Sequence, residues 1–339
     1  MRLLILGGTR FLGRHVVEIA VARGIEVTLF NRGVSGPGLF PEIEHLKGDR
    51  AGDLAALRGR QWDAVVDTCA FLPAQVRASA GLLAEAVGHY MLISSISVYR
   101  DLSRPGTDET SEVEAPDYES EEVEAGTYGA LKVACEQEAE SAMRGRALIV
   151  RPGFIVGPWD DVPRLPYWLR RVARGGNVLA PGDPDRPVQL IDARDIAAWT
   201  LDMAARRAAG VFNVTAPAGA LTMGAMLEAC RAATGSAARF VWAGDEALQE
   251  AGVPEVDGLP YWVSAGAAGV MHASAERARA AGLECRPFDA TARDTWAWLG
   301  TLPDELPPPA RTRGKVTITS GIAPGVEARL LAAARGAPA

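Results

Sequence analysis

Arg2-Leu3-Leu4-Ile5-Leu6-Gly7-Gly8-Thr9-Arg10-Phe11-Leu12-Gly13 opens the chain, and the order of its residue types decides the fold. The apolar run Leu3 to Leu6 reads as a strand buried on both faces. Gly7, Gly8 and Gly13 then line a turn in which backbone N–H groups can approach a pyrophosphate, and the helix that follows offers its positive N-terminal end to the same anion. Leu12, Val16, Val17, Ile19 and Ala20 recur at helical spacing through Ala22, and Gly24 closes the segment. Strand, glycine turn and helix in that order predict a dinucleotide site made by Gly7, Thr9, Arg10, Phe11, Leu12 and Gly13. The competing reading of the same residues is a tight turn with no ligand.

Outward from this unit, apolar runs at 26–30, 64–67, 90–94 and 147–151 alternate with longer amphipathic segments. Such alternation predicts repeated β-α-β crossovers and an α/β fold, a doubly wound parallel sheet of Rossmann type. From Gly157 onward Pro158, Pro163, Pro166, Pro181, Pro184 and Pro187 break the pattern into short pieces, which predicts a smaller C-terminal substrate lobe. The expected divisions are 1–156 for the dinucleotide, 157–305 mainly for the substrate, and 306–339 for a hinge and tail. A return segment near 188–215 is expected to pack on the first of these. The hinge is Leu306-Pro307-Pro308-Pro309; the tail, expected to lie away from the chemistry, carries an Ala/Leu-rich stretch at 326–334 suited to a short helix.

Composition narrows the function. The 339 residues are 48% hydrophobic and 23% charged, which excludes a disordered chain and a coiled coil. With 35 Lys and Arg against 42 Asp and Glu the formal charge is -7, and a nucleic-acid partner is not expected because phosphate-backbone binding needs a positive surface. The apolar run at the N-terminus is far too short for a membrane span. Cys69, Cys135, Cys230 and Cys285, like the histidines His15, His45, His89 and His272, are dispersed, so neither a metal site nor a disulfide framework is expected. Reduced thiols in a chain of this size fit the cytoplasm.

At the end of the second strand, where an acidic residue would bind a ribose 2′-hydroxyl, the chain has Asn31 and Arg32. Arg32, with Arg10, can pair with a 2′-phosphate, so NADP(H) is favoured over NAD(H); the alternative is a solvated surface charge. Gly48-Asp49-Arg50 follows a third short strand and places Asp49 beside the adenine or at a helix cap. Farther on, Tyr128-Gly129-Ala130-Leu131-Lys132 sets a phenol and an ammonium one helical turn apart on the same face. The cation favours the phenolate and brings the tyrosine toward useful acid-base range. Ser94-Ser95-Ile96-Ser97-Val98-Tyr99 follows the strand at 90–94, so a hydroxyl there faces the same crevice. Between them runs an acidic stretch from Asp108 to Glu122, read as a solvated loop over the mouth of the crevice.

These motifs, with Asp67-Thr68, the run Arg151 to Pro158, Asp192-Ala193-Arg194-Asp195 and Phe212-Asn213-Val214, resemble the extended short-chain dehydrogenase/reductase superfamily, specifically its NAD-dependent epimerase/dehydratase family. The resemblance implies that Tyr128 is the acid-base residue, that Lys132 holds the nicotinamide ribose, and that Ser95 rather than Ser94 orients the reacting oxygen. It places Arg50 and Thr68 at the cofactor, and Phe71, Trp159 and Tyr167 at a small-molecule substrate. The implied activity is hydride transfer to or from a carbonyl or carbinol carbon. One alternative is an epimerase of a sugar or nucleotide sugar that retains its nicotinamide. Similar proteins pair through the helix bearing Tyr128, which makes a homodimer the expected assembly. Arg10 stands where the family's turn has its middle glycine, and a similar Gly-Gly-Thr-Arg-Phe turn occurs in a subgroup that includes chloroplast stem-loop RNA-binding proteins, so a non-catalytic nucleotide- or RNA-binding protein of the same fold is the third reading. The residues expected to clamp a nucleotide-sugar diphosphate are missing, and Arg186 is the nearest substitute.

Overall fold

The computed structural model describes residues 1–124, 126–302, 311–313 and 316–336. The opening stretch folds as its pattern predicts: β1 (Arg2–Leu6) passes through the glycine turn into α1 (Phe11–Ala22). There follow β2 (Glu26–Asn31), β3 (Glu44–Lys47), β4 (Trp62–Asp67), α2 (Pro73–Leu83), β5 (Val87–Ile93), α3 (Tyr128–Met143) and β6 (Ala147–Pro152). The next part of the chain holds β7 (Phe154–Val156), α4 (Arg164–Ala173), β8 (Asn177–Pro181), β9 (Leu190–Asp192), α5 (Ala193–Arg206) and β10 (Gly210–Val214). Then come α6 (Met223–Thr234), β11 (Arg239–Ala243), α7 (Asp245–Glu250), α8 (Glu276–Ala280), α9 (Phe288–Leu299), β12 (Arg311–Arg313), β13 (Val316–Ile318) and α10 (Pro324–Gly336).

Seven parallel strands form the main sheet in the order β10-β6-β5-β4-β1-β2-β3. The order reverses between β1 and β4, and in such sheets the crevice beyond the strand ends at that point takes the ligand. Alternation along β1 shows how both faces are filled: Leu3 and Ile5 pack with α1 and α5, while Leu4 and Leu6 pack on the side of α2 and α3. A continuous apolar strand is the result of covering both sides.

After β6 the chain builds a second core from α4, α6, β8 and β11 around Trp168, Trp262 and Met226, then returns through β10 to the edge of the main sheet beside β6. The tail departs from expectation. The Pro-rich hinge lies outside the described residues, and the expected helix exists as α10, but it packs on β8 and β11, with Leu330 buried and Glu327 paired to Arg171 at 2.7 Å. Ile318, just before it, reaches the cleft. Among the described residues no helix is long and apolar enough to cross a membrane, and no cluster of His, Cys, Asp or Glu is placed to hold a metal.

Candidate active site

One cleft of about 790 Å³ runs from the glycine turn, past the ends of β4 and β5 and the start of α3, to the second core. At its first end Gly7 and Gly8 have φ of +101° and +85°, a conformation that favours glycine. Space is the second reason: a Cβ on Gly7 would lie 2.5 Å from Thr68 Oγ1, and one on Gly13 would lie 3.1 Å from the Gly8 backbone. Thr68 is held there by donating its hydroxyl to the Leu6 carbonyl at 2.8 Å. Thr68 therefore shapes the turn from beneath. The N-cap of α1, Arg10, makes no side-chain cap, which leaves the helix's first amides for an anion. This cradle fits a dinucleotide pyrophosphate.

The residues around the cradle are only partly as the sequence suggests. Asn31 spends its side chain on the backbone: Nδ2 donates to the Gly7 carbonyl at 3.0 Å, and Oδ1 accepts from the Gly33 amide at 2.9 Å. Arg32 is exposed on the cleft rim, with no ion pair among the described residues. Arg10, half-exposed, lines the cleft and is paired with Asp161. Asp49 accepts from the Ala51 amide at 3.0 Å and closes a turn. Arg50 also lines the cleft, but its guanidinium is committed to the fold. It is buried and forked onto Asp67 at 2.6 and 2.7 Å, with Ser79 and Cys69 as further partners, and Tyr90 donates to the same carboxylate at 2.7 Å. Its guanidinium braces β4 from below, because a buried cation must meet an anion.

Midway along the cleft the two neighbouring serines separate. Ser94 is buried and donates to Glu136 of α3, while Ser95 is half-buried, faces the cleft, and accepts from the Ser97 amide at 3.1 Å. Glu136 also takes a two-pronged contact from Arg151 at 3.0 and 2.6 Å. Arg151 donates on to the Tyr99 hydroxyl at 3.0 Å, which donates to Asn213 at 2.7 Å. This buried chain ties β5, α3, β6 and β10 together directly behind Ser95. Desolvation opposes the Arg151 charge, but the Glu136 contact outweighs it and holds the guanidinium pKa above its ordinary value.

Tyr128 opens α3 and lines the cleft half-buried, with its amide bonded to the Glu124 carbonyl at 3.1 Å. Lys132, one turn later, is buried; its Nζ donates to the Ala70 carbonyl at 2.7 Å and the Ile93 carbonyl at 2.6 Å. An ammonium has three N–H donors, so these carbonyls aim it while leaving one donor. Phe71 lines the cleft beside it, 5.5 Å from Nζ. The helix can approach the serine segment only because residue 129 is glycine: a Cβ there would sit 2.2 Å from the Ser97 carbonyl oxygen.

At the far end, Trp159 and Tyr167, expected at the substrate, do not line the cleft. Trp159 is stacked under the Arg14 guanidinium at 3.5 Å and against Trp298 at 5.6 Å. Tyr167 packs on Trp168 and over Gly321, where burial, with Glu327 next in effect, pushes its phenol up to about 12. Arg186 is likewise elsewhere, held by Asp245 at 2.6 Å and the Val263 carbonyl at 2.8 Å. The wall is instead made by Phe154, Asp160, Arg164, Asp257, Tyr261 and Ile318. Arg164 and Asp257, bonded at 2.8 Å, are 93 positions apart, and no local pattern could join them. Asp160 and Arg164 follow directly on the Arg151–Pro158 run, and that adjacency is the signal for them in the sequence. The acidic stretch is also divided: Glu121 and Glu122 line the mouth, joined by Glu124 just beyond the stretch, whereas Glu109 accepts from the Asn213 amide at 2.7 Å.

The family model described as "NAD dependent epimerase/dehydratase family" matches residues 3–215. A curated relative, the chloroplast stem-loop binding protein of 41 kDa b from Arabidopsis thaliana, is 27% identical over 255 residues, covering 69% of this chain and 63% of that protein. The matched part thus falls short of two thirds of the relative's length. Among solved structures, a UDP-glucose 4-epimerase superposes with a TM-score of 0.68 at 17% identity, over 91% of this chain and all of that one. A putative epimerase from Burkholderia cenocepacia gives 0.64 at 21% identity, over 89% and 98%. The Bordetella bronchiseptica enzyme WbmH, solved with NAD+, gives 0.66 at 17%, over 88% and 98%. At such identities the likeness is one of fold.

Proposed function

Because the chain belongs to the NAD-dependent epimerase/dehydratase family and is an NAD-dependent enzyme of the short-chain dehydrogenase/reductase type, we propose that it carries out oxidation or reduction at a carbonyl or carbinol carbon of a small molecule, with Tyr128 as acid-base residue. The observation that carries this reading is that Tyr128, Lys132 and Ser95 line one cleft with the glycine cradle. A bound dinucleotide supplies the two-electron chemistry. The protein's residues do the rest. Tyr128 exchanges a proton with the substrate oxygen, Ser95 shares that oxygen's hydrogen bonds, and the Lys132 ammonium favours the phenolate and meets the ribose with its remaining donor. NADP(H) is the preferred partner in this reading, supported by the exposed Arg32 at the end of β2 and the lack of an acid there.

Epimerisation with a retained cofactor shares the first step, and the names of the structures alike in fold favour keeping it as the second reading. NADPH consumption separates the two. A reductase depletes it in proportion to product, an epimerase does not, and Tyr128→Phe is expected to lower either turnover by about 10²–10⁴-fold. Full turnover by Tyr128→Phe would overturn the assignment. The relative named for stem-loop binding supplies the third reading, against which the charge of -7 speaks. RNA affinity that falls steeply with salt, and survives loss of Tyr128 and Lys132, would establish it instead.

A further inference from the structure

An arginine and a carboxylate meet at the end of the cleft suited to a pyrophosphate. Arg10 is the N-cap of α1, lines the cleft beside the glycine cradle, and stands where the family's turn has its middle glycine. Its side chain is half-exposed, so the guanidinium can reach an anion bound on the amides of the same helix end. Asp161 is its ion-pair partner, and the residues on either side of it, Asp160 and Val162, both line the cleft. A carboxylate beside an anion site works against the ligand: it repels the pyrophosphate and offsets the charge of the cation in the turn.

The fold does not depend on this pair. The segment that carries Asp161 is fixed to α1 by two other contacts: His15 Nε2 donates to the Pro158 carbonyl at 2.9 Å, and the Trp159 ring lies under the Arg14 guanidinium at 3.5 Å. Just beyond, the Val162 amide donates to the Asp160 carboxylate at 2.8 Å and closes the turn. An ion pair with one partner half-exposed adds little to such a clamp. Asp161 is thus held in place whether or not Arg10 touches it, and a fixed carboxylate competes with a bound anion rather than following the arginine toward it.

We propose that Arg10 binds the dinucleotide pyrophosphate and that Asp161 competes for the same guanidinium, holding affinity down so that the nucleotide exchanges between turnovers. The competition stands on the cradle alone. Its purpose rests on the oxidation-or-reduction reading above, because an enzyme that consumes NADPH must release NADP+ each time, whereas one that retains its nicotinamide need not. Three probes test it: NADPH, NADH, and ADP-ribose, which has the pyrophosphate but neither nicotinamide nor 2′-phosphate. Asp161→Asn is expected to lower all three dissociation constants about three- to tenfold, mainly by slowing release in stopped-flow displacement, and Arg10→Ala to raise them about five- to fiftyfold. The double variant is expected to bind no better than Arg10→Ala. Unchanged or weaker binding by Asp161→Asn would overturn the proposal. So would a gain that survives in the Arg10→Ala background, which would leave only repulsion by Asp161, or an Arg10→Ala loss confined to NADPH, which would assign the guanidinium to the 2′-phosphate. If Arg10→Ala does not fold, Arg10→Gln is read in its place. Wild-type protein that binds none of the probes would remove the cradle reading as well. NADPH consumption by the wild type with ketones and aldehydes is a separate measure: binding that changes as expected in a protein that consumes no NADPH supports the competition and counts against the redox reading alone.

Discussion

At the scale of single residues, the site separates groups that face the cleft from groups that hold those groups in place. Ser94 and Ser95 are adjacent and chemically identical, yet one is buried on Glu136 and the other half-open to the cleft, because consecutive residues leaving a strand point to opposite sides. Arg32 and Arg50 differ in the same way. Arg32 is exposed on the cleft rim, and under the proposed preference for NADP(H) Arg32→Ala is expected to raise the NADPH dissociation constant about ten- to hundredfold while leaving NADH nearly unchanged, as read by nucleotide fluorescence. Equal losses for both nucleotides would remove the argument for NADP(H). Sequence could name both arginines but not tell them apart, since what decides is Asp67, whose carboxylate comes into reach only when β4 is laid beside β1. The aromatics Trp159 and Tyr167 misled for a related reason: ring type signals burial, while the side of the wall a ring faces depends on distant partners such as Arg14 and Gly321.

Between elements, the glycines are the most informative positions. The β1-α1 turn was legible because everything that makes it, a strand, three glycines and a helix, is contiguous. The meeting of α3 with the segment after β5 was not, although it depends on one residue. Gly129→Ala would force its new methyl against the Ser97 carbonyl and push the start of α3, with Tyr128, away from Ser95. The expected result is a loss of about 1–3 kcal/mol in denaturant unfolding and a larger proportional fall in turnover. Unchanged turnover in a folded variant would show that the two segments need not touch. Behind this contact, Glu136 and Arg151 serve the elements rather than the substrate. The chain of bonds through Tyr99 and Asn213 makes the end of β5 rigid where Ser95 leaves it and where the Ile93 carbonyl aims Lys132.

For the molecule as a whole, the doubly wound sheet followed from periodicity, whereas the far wall of the cleft did not, because it is assembled from positions near 154–164, 257–261 and 318. Acid stability is a property at this scale, since Asp192 joins β9, α5 and α9. Burial acts to raise its carboxyl pKa, but hydrogen bonds from Arg194 and then the charges of Arg194 and Arg286 outweigh this and leave it depressed. A depressed carboxyl stabilises the folded state fully above the unfolded value of about 3.9, and that contribution disappears as pH falls through the lower folded value. The thermal midpoint should thus stay level from neutral pH to about 5 and drop below about 4. Asp192→Asn should start lower at neutral pH and show a shallower acid decline; an identical profile would exclude Asp192 as a cause. The return of β10 to the sheet bears on how the polypeptide matures on the ribosome. Until residues 210–214 have been synthesised, β6 presents a bare row of amides and carbonyls, so the nascent nucleotide-binding half carries an adhesive edge that only its own downstream sequence can seal.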